Sequence, residues 1–170
     1  MSKAFTRESD DAPEPPPRPR ATSPLPPGAK NYLTADGARR MQAQLDQLTQ
    51  IERPKLTAAL EDPETRRRLQ SLDQQVHYLH QTLGTAVVVT PPTAPWEQVR
   101  FGATVTVRSS RSEETRYRIV GIDETDADRD WVSWLSPVAR ALLNARLGEH
   151  VRFKFPSGEE ELEIVRIEYE

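Results

Sequence analysis

RLQSLDQQVHYLHQTLG, residues 68–84, carries the clearest periodic signal in the chain. Leu69, Leu72, Val76, Leu79 and Leu83 recur at alternating three- and four-residue steps, the apolar seam of a coiled-coil helix. Pro63 suits the first position of that helix and Gly84 its C-terminal cap. Upstream, Thr34 reads as an N-cap with Asp36 in the first turn. From there Met41, Leu45, Leu48, Ile51, Leu56 and Leu60 continue a second apolar stripe, which Pro54 should bend or end. Two apolar seams joined by a short polar turn must cover each other. Residues 32–84 are therefore expected to form an antiparallel helical hairpin, a short protruding arm.

Beyond the arm the period changes. Ala86–Val89 reads as a short strand, and Pro91, Pro92 and Pro95 mark residues 85–98 as a linker. From Val99 the alternation is two: Val105 and Val107, Tyr117 and Ile119, then Val151, Phe153 and Phe155 alternate with polar neighbours. Leu162, Ile164, Ile167 and Tyr169 close the chain. Ser109–Glu114 and Pro156-Ser157-Gly158 read as turns. One helix interrupts the strands, with Ser136 as N-cap and Pro137 as first residue. Residues 99–170 are thus expected to be an antiparallel sheet with a single helix packed on it, and the whole chain α+β.

Composition narrows the function classes. Of 15 prolines in 170 residues, eight lie in the first 30, so residues 1–31 read as a proline-rich disordered tail. There is no cysteine, hence no disulfide framework, and no apolar run long enough for a membrane span. The first residues lack the apolar core of a signal peptide, and a cytoplasmic protein, monomeric and not membrane-bound, is expected. The net charge of -3 is spread without a basic block, which argues against unaided binding to duplex DNA. A protein partner would bring the chain to nucleic acid.

Few residues suggest chemistry of their own. With no cysteine and three histidines, no nucleophile–base constellation is visible and no catalytic residue is expected. His77 and His80 share a helix face but lack a third ligand, so neither a metal nor another cofactor is expected. Glu61, Asp62 and Glu64 cluster at the expected tip of the arm, followed at once by Arg66, Arg67 and Arg68. The acids could touch a cation or a basic partner; the arginines could pair with them or contact phosphates. Trp131 and Trp134 sit among Asp126, Asp128 and Asp130 and read as packing residues, not a base-stacking platform.

Taken in order, several stretches resemble the bacterial Gre transcription elongation factors across about residues 32–170. TADGARRM from Thr34 is similar to the family's Thr-x-x-Gly start, QLDQLTQIERP from Gln44 to its leucine spacing and Arg-Pro pair, and RLQSLDQQVHYL from Arg68 to its returning helix. FGATVTV from Phe101, YRIVGIDE from Tyr117, SPVARALL from Ser136 and the terminal IEY from Ile167 follow in family order. The resemblance implies an FKBP-like C-terminal domain and a partner, bacterial RNA polymerase, with DNA and RNA met only indirectly. It implies docking of that domain on the rim of the secondary channel, with Asp123, Glu124, Ser136, Pro137, Arg140 and Leu142 as candidate contacts. It also implies an arm whose acidic tip lends carboxylates to a second magnesium in the polymerase site, so that the chemistry belongs to the polymerase.

The tip departs from the family. Only 13 residues separate Pro54 from Arg68, about half the family's number, and its Asp-x-x-Glu-Asn motif is missing. A loss of about six residues from each helix withdraws the tip by about 9 Å at 1.5 Å per residue. Inner-shell magnesium ligation needs an oxygen at about 2.1 Å. Weak or absent stimulation of transcript cleavage is therefore expected. Alternative readings are a short-armed polymerase-binding regulator resembling the regulator of nucleoside diphosphate kinase, an FKBP-like peptidyl-prolyl isomerase, and a plain helical scaffold.

Overall fold

The computed structural model describes residues 25–170; the greater part of the expected tail, residues 1–24, lies outside it. The fold is mixed α+β, a helical N-terminal region followed by a sheet. Strand β1 (Asn31–Thr34) leads into helix α1 (Ala35–Gln47), so Asn31 belongs to a strand and not to the tail. Thr34 caps α1: its Oγ1 accepts from the Gly37 N–H at 2.9 Å. The helix then widens into a π-helical turn (Leu48–Glu52) before helix α2 (Arg53–Ala58).

Pro54 explains the widening. It has no N–H to donate, and in an α-helix its ring would press on the carbonyl four residues back. The N–H of Arg53 reaches instead to the Leu48 carbonyl, five residues back. Pro54 thus neither ends the helix nor stops its progress. The extra residue in that turn rotates Ile51 off the seam, leaving it 51% exposed, whereas Leu45 and Leu48 are buried.

Helix α3 (Pro63–Thr85) begins at the cap Asp62 and runs one residue past Gly84, so Gly84 is helical and Ala86 closes the helix. Leu72 and Leu79 from α3 pack with Leu45 and Leu48, flanked by Met41, Leu56, Val76 and Leu83. Arg53 pairs with Asp73 at 2.8 Å near one end, and the Asn31 amide donates to the Thr82 carbonyl at 3.1 Å near the other. Strand β2 (Ala86–Val89) then pairs in parallel with β1, a pairing that joins the start and end of the helical region.

The sheet holds five strands: β3 (Ala103–Ser109), β4 (Glu114–Val120), β5 (Trp131–Ser133), β6 (His150–Phe155) and β7 (Gly158–Tyr169), in the order β5-β4-β3-β7-β6. It is not wholly antiparallel. Chain segment 121–130 carries β5 back alongside β4 in the same direction. One face is apolar: Val105, Val107, Ile119, Leu162, Ile164 and Ile167 are buried against Ala139 and Leu142 of helix α4 (Pro137–Leu142). Full burial of each such aliphatic side chain stabilises by about 1.5–3 kcal/mol.

The other face is a lattice of opposite charges. Arg108 meets Glu114 at 2.9 Å and Glu163 at 3.4 Å, Glu168 meets Arg116 at 3.3 Å and Arg166 at 2.9 Å, and Arg152 meets Glu161 at 2.8 Å. Such exposed pairs contribute little stability, but they neutralise the face and leave it no basic stripe for a nucleic-acid backbone.

Candidate functional site

The turn between α2 and α3 is Ala59–Asp62, and it forms the tip of the helical region. Asp62 is engaged there: its carboxylate accepts from the Thr65 N–H at 3.0 Å and from the Thr65 hydroxyl at 3.1 Å. Those hydrogen bonds lower its pKa below the ordinary carboxylate range. Glu64 is engaged as well, in a 2.6 Å ion pair with Arg68. Of the tip acids only Glu61 presents a carboxylate without a partner among the described residues, while its carbonyl accepts from Arg66 at 3.4 Å. Arg67 is exposed. The acids and arginines brought together by the turn satisfy one another in part, and no group of three or more acids or histidines converges into a metal site among the described residues.

The direction of the Asp62 shift makes a pH prediction. An Asp whose pKa is lowered in the folded protein stabilises above its unfolded value, near 3.9, and that contribution is lost as the pH falls through the lowered folded value. Carboxyl-carbon NMR titration should place the Asp62 midpoint below that of a free Asp, and the first turn of α3 should remain capped at neutral pH. A midpoint at or above the free value would contradict the cap.

The sheet-domain candidates divide into two groups. Ser136 and Pro137 begin α4, where the Ser136 hydroxyl accepts from the Ala139 N–H at 3.2 Å. Pro137 and Arg140 are exposed. Leu142 has no exposure at all and lies in the core, so it offers nothing to a docked surface. Ser136→Ala should cost about 1 kcal/mol by loss of the cap, read by denaturant unfolding. An unchanged stability would show that the hydroxyl has another task.

In the second group Glu124 turns inward, whereas Asp123 stays half-buried. The 3₁₀ turn Ile122–Glu124 follows β4. The Glu124 side chain is 1% exposed, and its Oε2 accepts from the Thr34 N–H at 2.9 Å and the Gly121 N–H at 3.0 Å. Its Oε1 accepts from the Thr34 hydroxyl, and Arg40 stands at 3.8 Å. Asp123 accepts from the Tyr78 hydroxyl of α3. A buried carboxylate held by three intrachain donors cannot also grip a partner, and Glu124 is removed from the set of docking contacts.

This junction is what the sequence reading missed. Gly37 and Gly121 are the legible traces of it. A Cβ on Gly37 would lie 1.8 Å from Glu124 Oε1, and one on Gly121 would lie 2.2 Å from the Tyr32 carbonyl oxygen. Trp131 lies close by, with the guanidinium carbons of Arg118, Arg40 and Arg129 at 4.6, 4.8 and 5.3 Å from its ring centre. It is thus a cation-stacked packing residue, with Arg40 brought from α1. Trp134 meets the Tyr32 ring edge-on at 5.2 Å. A cavity of about 280 Å³ between α1 and the 123–131 segment is lined by Gly37, Arg40, Met41, Glu124 and Trp131, among others.

The fold joins a helical N-terminal region with a charged turn to a five-stranded sheet, and the Glu124 and Asp123 contacts link the two. Comparison with known proteins supplies its kind. The family model for the C-terminal part of GreA/GreB transcription elongation factors matches residues 93–169. Transcription elongation factor GreB of Neisseria meningitidis is 36% identical over 154 residues, spanning 82% of this chain and 94% of the relative. Transcription elongation factor GreA of a Psychrobacter species is 32% identical over 153 residues, spanning 81% of this chain and 97% of the relative. Among solved structures, a GreA/GreB elongation factor from Nitrosomonas europaea is 25% identical, spans 82% of this chain and all of its own, and superposes with a TM-score of 0.41. The chain belongs to the GreA/GreB family of transcription elongation factors.

The Neisseria alignment also measures length. Its 154 positions take up 82% of 170 residues, about 139, so about 15 positions of the relative have no counterpart in this chain.

Proposed function

We propose that the protein docks on bacterial RNA polymerase through its sheet domain, places its helical arm at the secondary channel, and does little to stimulate transcript cleavage. In this reading residues 32–84 are an antiparallel hairpin arm and residues 99–170 an FKBP-like docking domain, joined by the proline-marked segment 85–98. The chain supplies no catalytic residue; any hydrolysis belongs to the polymerase, which alone meets the DNA and RNA. Exposed Arg140, with Ser136 and Pro137 beside it, and the half-buried Asp123 are the docking candidates left after Glu124 and Leu142 are assigned to internal roles.

The observation that carries the weak-cleavage reading is the tip. The turn is four residues long, Asp62 and Glu64 are held by Thr65 and Arg68, and the chain lacks about 15 positions that a relative has. With the family model matching from residue 93 onward, the shortfall fits the helical region best. Two measurements test the proposal together. Co-purification of the full chain with core polymerase at low salt should succeed, and cleavage of backtracked transcripts should rise little when the chain is added. Failure to bind sinks the docking; robust cleavage that depends on Glu61, Asp62 and Glu64 sinks the short reach.

A further inference from the structure

We propose that Glu124 is a positioning residue that fixes the angle at which the arm leaves the sheet domain, acting with Asp123 as a two-point grip on the two arm helices. Its relevance to transcription rests on the docking reading above; the grip itself does not.

The geometry is specific. One carboxylate oxygen, Oε2, accepts from a donor on each side of the junction: the Thr34 N–H at the start of α1 and the Gly121 N–H at the end of β4. The second oxygen takes the Thr34 hydroxyl, which itself accepts from the Gly37 N–H. Every donor around the carboxylate points at it, and it sits at the positive end of the α1 dipole. The preceding residue, Asp123, takes the Tyr78 hydroxyl from α3. A single contact would leave a pivot; contacts to two helices from adjacent residues of one turn define an orientation.

The backbone is shaped for this approach. Gly37 leaves room for the carboxylate, and Gly121 leaves room for the Tyr32 carbonyl, in both cases at distances where a Cβ could not stand. The apolar packing at the junction, Tyr32 against Phe101 and Trp134, adds burial but little direction. Hydrogen bonds to a charged acceptor supply the direction.

The leverage is large. Helix α3 has 23 residues, which is about 34 Å at 1.5 Å per residue. A swing of about 10° at the base moves the tip by about 6 Å on an arm of that length. That displacement is comparable to the reach lost by the shortened arm, so the base angle matters as much to tip placement as arm length does.

The chain has no cysteine, so two introduced cysteines, Ala59→Cys at the tip and Ser110→Cys on the β3–β4 turn, accept spin labels at those sites alone. Pulsed dipolar spectroscopy on the full chain should give one narrow distance distribution in the parent. Glu124→Ala and Gly37→Ala should broaden it or shift it by several ångströms while helix content by circular dichroism is retained, and Tyr78→Phe should broaden it to a smaller degree. Distributions that superimpose on the parent in Gly37→Ala and Tyr78→Phe would overturn the proposal, whether Glu124→Ala folds or not. A photo-crosslinker at Leu60 in the polymerase complex separates the two readings. If the parent does not bind polymerase, the docking reading fails and the distance data stand. If the distributions of Gly37→Ala and Tyr78→Phe superimpose on the parent while Gly37→Ala binds and crosslinks the same polymerase segment, the grip fails and the docking reading stands.

Discussion

Added to backtracked polymerase complexes, the protein is expected to change the transcript-cleavage rate by no more than about twofold, at concentrations that saturate binding. A second metal stabilises the attacking and leaving oxygens of a phosphoryl displacement only when ligand oxygens reach it directly, at about 2.1 Å. A tip withdrawn by about 9 Å leaves several water layers in that gap. Among the described residues Glu61 is the one tip carboxylate not already hydrogen-bonded or paired, and a single exposed acid does not make a metal ligand set. Changing Glu61, Asp62 and Glu64 together to alanine should therefore leave the cleavage rate where it was. The converse variant is more telling. Inserting one heptad in each helix, at the turn, advances the tip by about 10 Å while preserving the seam register. With acids at the new tip, cleavage should rise by at least tenfold over the unmodified protein. If the unmodified protein already cleaves strongly and loses it with the three acids, the withdrawal argument is wrong.

Local signals were read well where one residue type has one job. Thr34 and Ser136 each cap a helix with the expected hydrogen bond to a nearby backbone N–H, because capping depends only on residues two or three positions away; Asp62, expected only as part of an acidic turn, caps α3 in the same way. The leucine seams were legible for a similar reason, since helical period places Leu72 and Leu79 on one face whatever they meet. Pro54, expected to bend or end the helix, does not end it: the missing N–H is accommodated by a widened turn that runs on into α2.

The junction was not legible because its partners are far apart in the chain. Glu124 meets Thr34 across 90 positions, and Asp123 meets Tyr78 across 45. In sequence Glu124 is an acid in a polar loop, indistinguishable from a solvent-facing docking residue. The parallel pairing of β1 with β2, and of β5 with β4, was hidden likewise, since alternation marks a strand but not its neighbour's direction. Gly37 and Gly121 carried the available signal: a glycine near a helix start or strand end, without a turn to justify it, marks a close approach.

Leu142→Ala is expected to destabilise the sheet domain by about 3 kcal/mol, the range for a fully buried leucine that leaves a cavity. For a chain of this size that lowers the melting temperature by about 6–12 °C. Leu142 sits under the sheet with no exposure, beside Val105, Ile119 and Ile164, so the loss should appear in thermal unfolding and not in polymerase affinity per folded molecule. Arg140, two residues earlier on the same short helix, is the contrasting case. Its guanidinium is exposed, and no ion pair holds it among the described residues. Arg140→Glu should leave the melting temperature within about 1 °C, since surface charges away from networks rarely matter to stability. It should weaken polymerase binding by about fivefold or more and reduce the salt dependence of association, as expected for a reversed rim charge. The two variants together separate core from contact on one turn of helix. Affinity lost in folded Leu142→Ala, or untouched in Arg140→Glu, would move the docking surface away from α4.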